Sequence, residues 1–358
     1  MIKSTSGNLL HAEADALVNT VNTVGVMGKG IALQFKKAYP AMFDDYARAV
    51  RDGDVSIGRM HIWPTEHMTG PRYIINFPTK KHWRGSSRLS EIRAGLVDLT
   101  RVVRELEISS IAIPPLGCGN GGLSWSEVEP EIRVAFEALP EVGVLLFPPA
   151  GAPRASDMPT ATKTPEMTIG RAAFVDILDR YTQQTMMPPT LIESHKLMYF
   201  LQIAGESLRL NFQAHHYGPY ADNLRHVLTA IEGHYLSGYG DGSARVEEAE
   251  PLTVMPGAAA AATSVLEHQP HTRERIQHVL ELSEGFESPY GLELLATVHW
   301  VATHLPEPAP EHTITQRVSE WSPRKARMFT PEHVSTALEA LRAHGWLHPV
   351  RESLARTS

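Results

Sequence analysis

The chain has 358 residues, 42% of them hydrophobic, a net charge of −7 and a single cysteine, Cys118. Its length exceeds what one hydrophobic core serves, so two domains are expected. One cysteine excludes an internal disulfide, no apolar run approaches the roughly 20 residues of a membrane span, and "MIKSTSGNLL" has no signal-peptide core; the expectation is a cytoplasmic protein with no membrane partner.

Along the first 150 residues, short apolar runs alternate with segments of helical period. "ADALVNTVN" reads as a buried strand, "GIALQFKKAYPAMFDDYARAV" as one helix, and "RMHIWPT" and "RYIINFPT" as strands. "RLSEIRAGLVDLTRVVRELE" is a helix, "SSIAIPPLG" a strand, "SEVEPEIRVAFEAL" a helix and "VGVLLFPP" a last strand. This alternation predicts an α/β domain over residues 1–150 with helices on both faces of a sheet and ligands at the carboxyl ends of its strands.

Residues 151–167, rich in Pro, Ala, Ser and Thr, lack periodicity and read as a linker. Beyond them "IGRAAFVDILDRYTQ", "LIESHKLMYFLQIAGESL", "YADNLRHVLTAIEGHYL", "ATSVLEHQPHTRERIQHVLELSEGF", "PYGLELLATVHWVATHL" and "PEHVSTALEALRAHGWL" make residues 168–358 mainly helical, and "PGAAAAATSV" reads as a helix start. Charge follows the same division: residues 1–167 hold 18 basic and 18 acidic side chains, the remaining 191 hold 15 and 22, so the second part carries the whole imbalance. An acidic domain beside a neutral one fits either simple solubility or a basic partner.

Two strand-to-helix turns are open to a chemical reading, the alternative being loops shaped by sterics alone. In "VNTVGVMGKGIA", Gly25, Gly28 and Gly30 let the chain curl and aim successive N–H groups into one concavity, to which a helix starting near Gly30 adds its positive end. A nucleotide P-loop would place Ser or Thr after the Gly-Lys pair; here Gly30 follows Lys29, which excludes it. "PPLGCGNGGLSWSEVEP" repeats the logic with Gly117, Gly119, Gly121 and Gly122. Two such turns in one domain can pinch a diphosphate from both sides.

"GNLLHAEADALVNTVNTVGVMGKGIA" together with "PLGCGNGGLSW" resembles the ADP-ribose-binding macrodomain, a three-layer α/β/α fold. "INFPTKKHWR" narrows the resemblance to the DarG branch of DNA ADP-ribosyl glycohydrolases, antitoxins of an ADP-ribosyltransferase toxin of the DarT type. The resemblance implies that the first turn holds the distal ribose, the second wraps the diphosphate, and a lysine after the "FPT" strand, here Lys80, is catalytic. Carried over residue by residue, the implied substrate contacts are Asn8, Leu9, Asn22, Gly28, Lys29, Gly30, Ile31 and Thr79, with Gly117, Cys118, Gly119, Asn120, Gly121, Gly122 and Leu123. Two departures stand out. Asn8 occupies a position where many macrodomains place an adenine-binding aspartate, and Gly121 stands where a related lysine-dependent glycohydrolase has a carboxylate.

The implied substrate is ADP-ribose on a thymine ring nitrogen of single-stranded DNA, with ADP-ribose as ligand and product and neither cofactor nor metal. A neutral Lys80 could attack the sugar or activate water, whereas a charged one could stabilise or protonate the departing base. The neighbouring cations are expected to lower its pKa. Lys81, His82, Trp83, Arg84 and Arg88 combine a stacking face with phosphate-binding charges, as a single strand requires; Trp125 reads as a packing residue. Two other readings stay open: an ADP-ribose reader without turnover, and hydrolysis of ADP-ribose esters on protein carboxylates.

In the second part, "ESHKLMYFLQIAGESL" and "NFQAHHYGPYADNLRHVL" resemble the Panacea-type antitoxin domain, implying that residues 168–358 bind and block the toxin. From the residues themselves, Leu197, Met198, Phe200 and Leu201 are core and Tyr217 to Tyr220 a turn. His215 and His216 lack further ligands at metal spacing. Glu247, Glu248, Glu250, Glu281, Glu284, Glu287 and Glu293 are candidate carboxylates to occupy a cationic DNA groove on the toxin.

Overall fold

Six of the seven residues from Ala16 to Asn22 are buried, the signature of a strand covered on both faces. The computed structural model describes residues 1–66, 69–306 and 309–347. It divides into two compact units, Met1–Thr164 with Gly240–Ala244, and Pro165–Tyr239 with the chain from Arg245 onward.

In the first unit β1 (Ile2–Ser4), β2 (Ala16–Asn22), β3 (His61–Pro64), β4 (Tyr73–Lys80), β5 (Ser110–Ile113) and β6 (Gly143–Leu146) form one sheet in the order β1-β6-β5-β2-β4-β3. Only β3 runs antiparallel, at the edge beside β4. Because successive side chains of a strand face opposite ways, β2 sends Ala16 and Val18 into one core and Leu17 and Val21 into another. The first core is closed by Ile92, Leu96 and Leu99 of α3 (Leu89–Glu105) and Val128 and Ile132 of α4 (Trp125–Phe136). The second is closed by Phe35 of α1 (Gly30–Ala38) and Met42 and Tyr46 of α2 (Pro40–Asp52). This is the expected three-layer α/β/α arrangement.

The single helix expected from Gly30 to Val50 is two. Pro40 has no N–H to donate and pushes Tyr39 out of helical geometry, to φ −131° and ψ 71°. β1 was not expected from the sequence. The segment 151–167 has the irregular structure its composition implies, apart from a 3-10 turn at Ala155–Asp157, but it is fastened rather than free: Asn8 Nδ2 donates to Asp157 O at 2.7 Å and Ala161 N to Lys37 O at 2.8 Å.

The second unit contains α5 (Ile169–Thr185), α6 (Leu191–Ile203), the hairpin β7 (Phe212–His215) and β8 (Gly218–Ala221), α7 (Leu224–Ile231), and the short pair β9 (Leu236–Ser237) and β10 (Thr253–Val254). It continues with α8 (Ala258–Leu266), α9 (Pro270–Ser283), α10 (Pro289–His304), α11 (Glu311–Glu320), α12 (Pro323–Met328) and α13 (Pro331–Ala343). The helix expected across 262–286 breaks at Pro270, for the reason that divides α1 from α2. Lys196, Leu197, Met198, Phe200 and Leu201 are all buried on α6, which begins with a capping box between Thr190 and Glu193.

A buried ion network corrects one expectation here. Glu293, a candidate surface carboxylate, is 1% exposed and accepts from Lys325 Nζ at 2.6 Å and from both terminal nitrogens of Arg324 at 2.6 and 3.1 Å. Its α10 position faces the core, so it is unavailable to a partner. Glu247, Glu248, Glu250, Glu281, Glu284 and Glu287 are exposed. His215 and His216 are exposed on the hairpin, and no cluster of three or more metal-ligating side chains exists among the described residues. Within the described residues no helix is long and apolar enough to cross a membrane.

Candidate active site

Since β2 lies between β4 and β5, the turns leaving the carboxyl ends of these three parallel strands must meet. β2 delivers the first glycine turn, β5 the second, and β4, on the other side of β2, ends at Lys80.

The first turn is built around Asn22. Its Oδ1 accepts from the N–H groups of Val24 at 3.0 Å and Val26 at 3.3 Å, and its Nδ2 donates to Val26 O at 2.6 Å. The side chain expected to touch ribose therefore also shapes the turn. Tyr46, which the sequence did not single out, donates its hydroxyl to Asn22 O at 2.5 Å, and burial pushes its pKa up to about 12. Gly25 and Gly30 sit at φ +78° and +63°, where side chains are strained. Gly28 and Lys29 are exposed, and Ile31 is half-buried. Lys29 gives no side-chain cap to α1; within this unit Asp241 supplies the partner, accepting from Gly30 N at 3.1 Å through its main-chain oxygen and from Gln34 Nε2 at 2.6 Å through its carboxylate.

The second turn is tightly folded. Cys118 N donates to Pro115 O, Gly122 N to Gly119 O and Leu123 N to Gly117 O, at 3.0 to 3.1 Å. The N–H groups of Gly119, Asn120 and Gly121 have no main-chain partner among the described residues, which leaves consecutive donors for an anion. A Cβ on Gly121 would lie 2.4 Å from Gly117 O and 2.3 Å from Ser87 Oγ, so this position admits no side chain, the absent carboxylate included. Burial pushes the Cys118 thiol up to about 11, which favours its protonated form.

Lys80 Nζ donates to Asn120 O at 2.8 Å. Burial lowers its pKa from the ordinary lysine value; the neighbouring cations, expected to be the cause, are all exposed. Lys81, His82, Trp83, Arg84 and Arg88 occupy the turn after β4, where Arg84 lies 4.4 Å over the Trp83 ring and His82 stacks on it at 5.4 Å. Thr23 ties this basic turn to the first glycine turn through its N–H and hydroxyl, both donated to Lys81 O. Trp125 packs against the core, as expected.

Three expected contacts have side chains spent on the fold. Asn8 Oδ1 accepts from Leu10 N at 3.0 Å while its Nδ2 donates to Asp157 O at 2.7 Å. Leu9 belongs to the core, and Thr79 is buried with its hydroxyl directed to Val21 O. Side-chain hydrogen bonding to neighbouring backbone is the use that Asn and Thr most often find near turns.

A mixed six-stranded sheet between helical layers, with two glycine turns beside a half-buried lysine, defines a macrodomain, and the Macro domain family model matches residues 18–132. A DNA ADP-ribosyl glycohydrolase of Mycobacterium tuberculosis is 45% identical over 354 residues, spanning 95% of this chain and 99% of that protein. The chain belongs to the DNA ADP-ribosyl glycohydrolase family. Among solved structures, the macrodomain of Mycobacterium tuberculosis DarG is 58% identical, covering 42% of this chain and 99% of its own, with a TM-score of 0.42. A fusion of DNA ADP-ribosyl transferase with DNA ADP-ribosyl glycohydrolase from Thermosipho africanus is 31% identical over 139 residues, 35% of this chain and 36% of the fusion.

Proposed function

We propose that the chain is a cytoplasmic antitoxin whose first unit hydrolyses the N-glycosidic bond between ADP-ribose and thymine bases in single-stranded DNA. The observation that carries this reading is Lys80 Nζ held on Asn120 O where the two glycine turns meet. The free amides of the second turn bind the diphosphate, the first turn closes over the distal ribose, and its anomeric carbon then faces the amine. Partial burial lowers the pKa of this lysine; as the amine Lys80 acts as nucleophile on that carbon or as base toward water, and as the ammonium it stabilises or protonates the departing base. The bond to the base breaks with its electron pair going to the thymine, which takes up a proton, and water supplies the hydroxyl at the anomeric carbon, either directly or by displacing the amine. The exposed basic turn with Trp83 supports the flanking single strand.

The second unit binds and blocks the ADP-ribosyltransferase toxin. Support comes from the acidic balance of this half, its exposed carboxylates, and the relative in which transferase and glycohydrolase share one chain. Incubation with ADP-ribosylated oligonucleotide tests the enzyme reading: release of free ADP-ribose is expected, and intact substrate overturns it. Isothermal titration of the full chain with the toxin tests the partner reading, with binding that weakens as salt is raised.

A further inference from the structure

Ser87 lies in the turn that leads from Lys80 to α3 and was assigned no role. It is 6% exposed, and its Oγ has no hydrogen-bond partner among the described residues. That hydroxyl is enclosed by the second glycine turn, since ideal Cβ atoms on Gly117 and Gly121 would fall 3.2 and 2.3 Å from it. The N–H of the same residue is engaged, Ser87 N donating to Gly121 O at 2.9 Å, one residue beyond the carbonyl that holds Lys80.

A buried hydroxyl without a partner destabilises a protein, and an alanine would remove that cost. We infer that Ser87 is a positioning residue whose hydroxyl acquires its partner from the peptide groups of the Gly117–Gly122 turn when their amides turn onto a bound diphosphate. The inference rests on the reading of that turn as the diphosphate cradle. It deepens that reading by making the turn responsive to ligand and by joining substrate binding to the peptide that anchors Lys80. Such a group favours the bound state over the empty one, because its hydrogen bond exists only in the bound state.

Calorimetric titration of the full chain with ADP-ribose, together with thermal midpoints in its absence, tests the inference on wild type, Ser87→Ala and the nearly isosteric Ser87→Cys. If wild type fails to bind ADP-ribose, the cradle reading itself falls. With wild type binding, Ser87→Ala is expected to keep or raise the ligand-free midpoint and to weaken ADP-ribose about fivefold, the worth of one net hydrogen bond. On ADP-ribosylated oligonucleotide the loss should appear in KM with kcat little changed. Unchanged affinity in Ser87→Ala overturns the inference, whatever the midpoint. If affinity and midpoint fall together, Ser87→Cys decides: recovery of the midpoint alone supports the inference, whereas recovery of both assigns Ser87 to packing and overturns it.

Discussion

Lys80 Nζ and the main-chain oxygen of Asn120 lie 2.8 Å apart, fastening the end of one strand to the turn that follows another, across 40 positions of sequence. The bond fixes where the amine stands relative to the diphosphate cradle. It leaves the amine's remaining protons or lone pair for the reaction.

Replacing Lys80 by alanine is expected to lower kcat on ADP-ribosylated oligonucleotide by about 100-fold or more, the range of positioned acid–base groups. ADP-ribose affinity should change by only a few-fold. Because burial lowers its pKa, kcat/KM should rise with pH through a value below the ordinary lysine figure of about 10.4, as the reactive neutral form accumulates. A profile that falls with pH over that interval would return the catalytic role to the ammonium.

The two glycines flanking Asn120 should respond differently to one methyl group. Gly121→Ala forces a Cβ to within 2.4 Å of Gly117 O, so the turn must move, and calorimetry should show ADP-ribose binding weakened by about tenfold or more. At Gly119 nothing lies within 4 Å of the new atom and φ is not positive. Gly119→Ala should bind nearly as wild type.

Trp83 separates recognition of the strand from recognition of ADP-ribose. Trp83→Ala removes the exposed ring between His82 and Arg84. Base stacking of this kind contributes about 1–3 kcal/mol. KM for the modified oligonucleotide should therefore rise by roughly five- to 150-fold, while calorimetric affinity for free ADP-ribose stays unchanged.

In the second unit the buried ions should govern stability. Glu293→Gln leaves Lys325, itself fully buried, without its carboxylate, and should cost about 3–5 kcal/mol in a denaturant titration. Lys196, with Nζ on Pro219 O, is pushed by burial down to about 7. Between pH 7 and about 10 the unfolded chain holds a proton at this lysine that the folded chain has released, so this group makes stability increase with pH. The gain should shrink in Lys196→Met, measured as the difference between the two midpoint-against-pH curves.

Much of the fold was legible because its central strands are covered on both faces and so read as continuous apolar runs, as in "ADALVNTVN". Glycines at the two turns were legible for a local reason too, since positive φ and steric closeness tolerate little else. The helix breaks at Pro40 and Pro270 were missed because the amphipathic period carries across both prolines and outweighed them. Asn8 and Asn22 were assigned to ligand from their place in a motif. Their amides also bond backbone groups, Asn22 within its own turn and Asn8 both at Leu10 nearby and at Asp157, distant in sequence.

By itself the sequence determined which turns can expose amides, that a lysine ends the strand next to one of them, and that the second part is helical and acidic. All three depend on short-range properties: side-chain pattern, glycine conformation and charge count. Only the tertiary structure decided that Lys80 meets Asn120, that Ser87 lies within the curl of the second turn, and that Glu293 is an interior ion rather than a surface one. Those outcomes depend on which strand ends become neighbours and which helix face turns inward. They are set by burial of the whole core at once, and no segment carries that information alone.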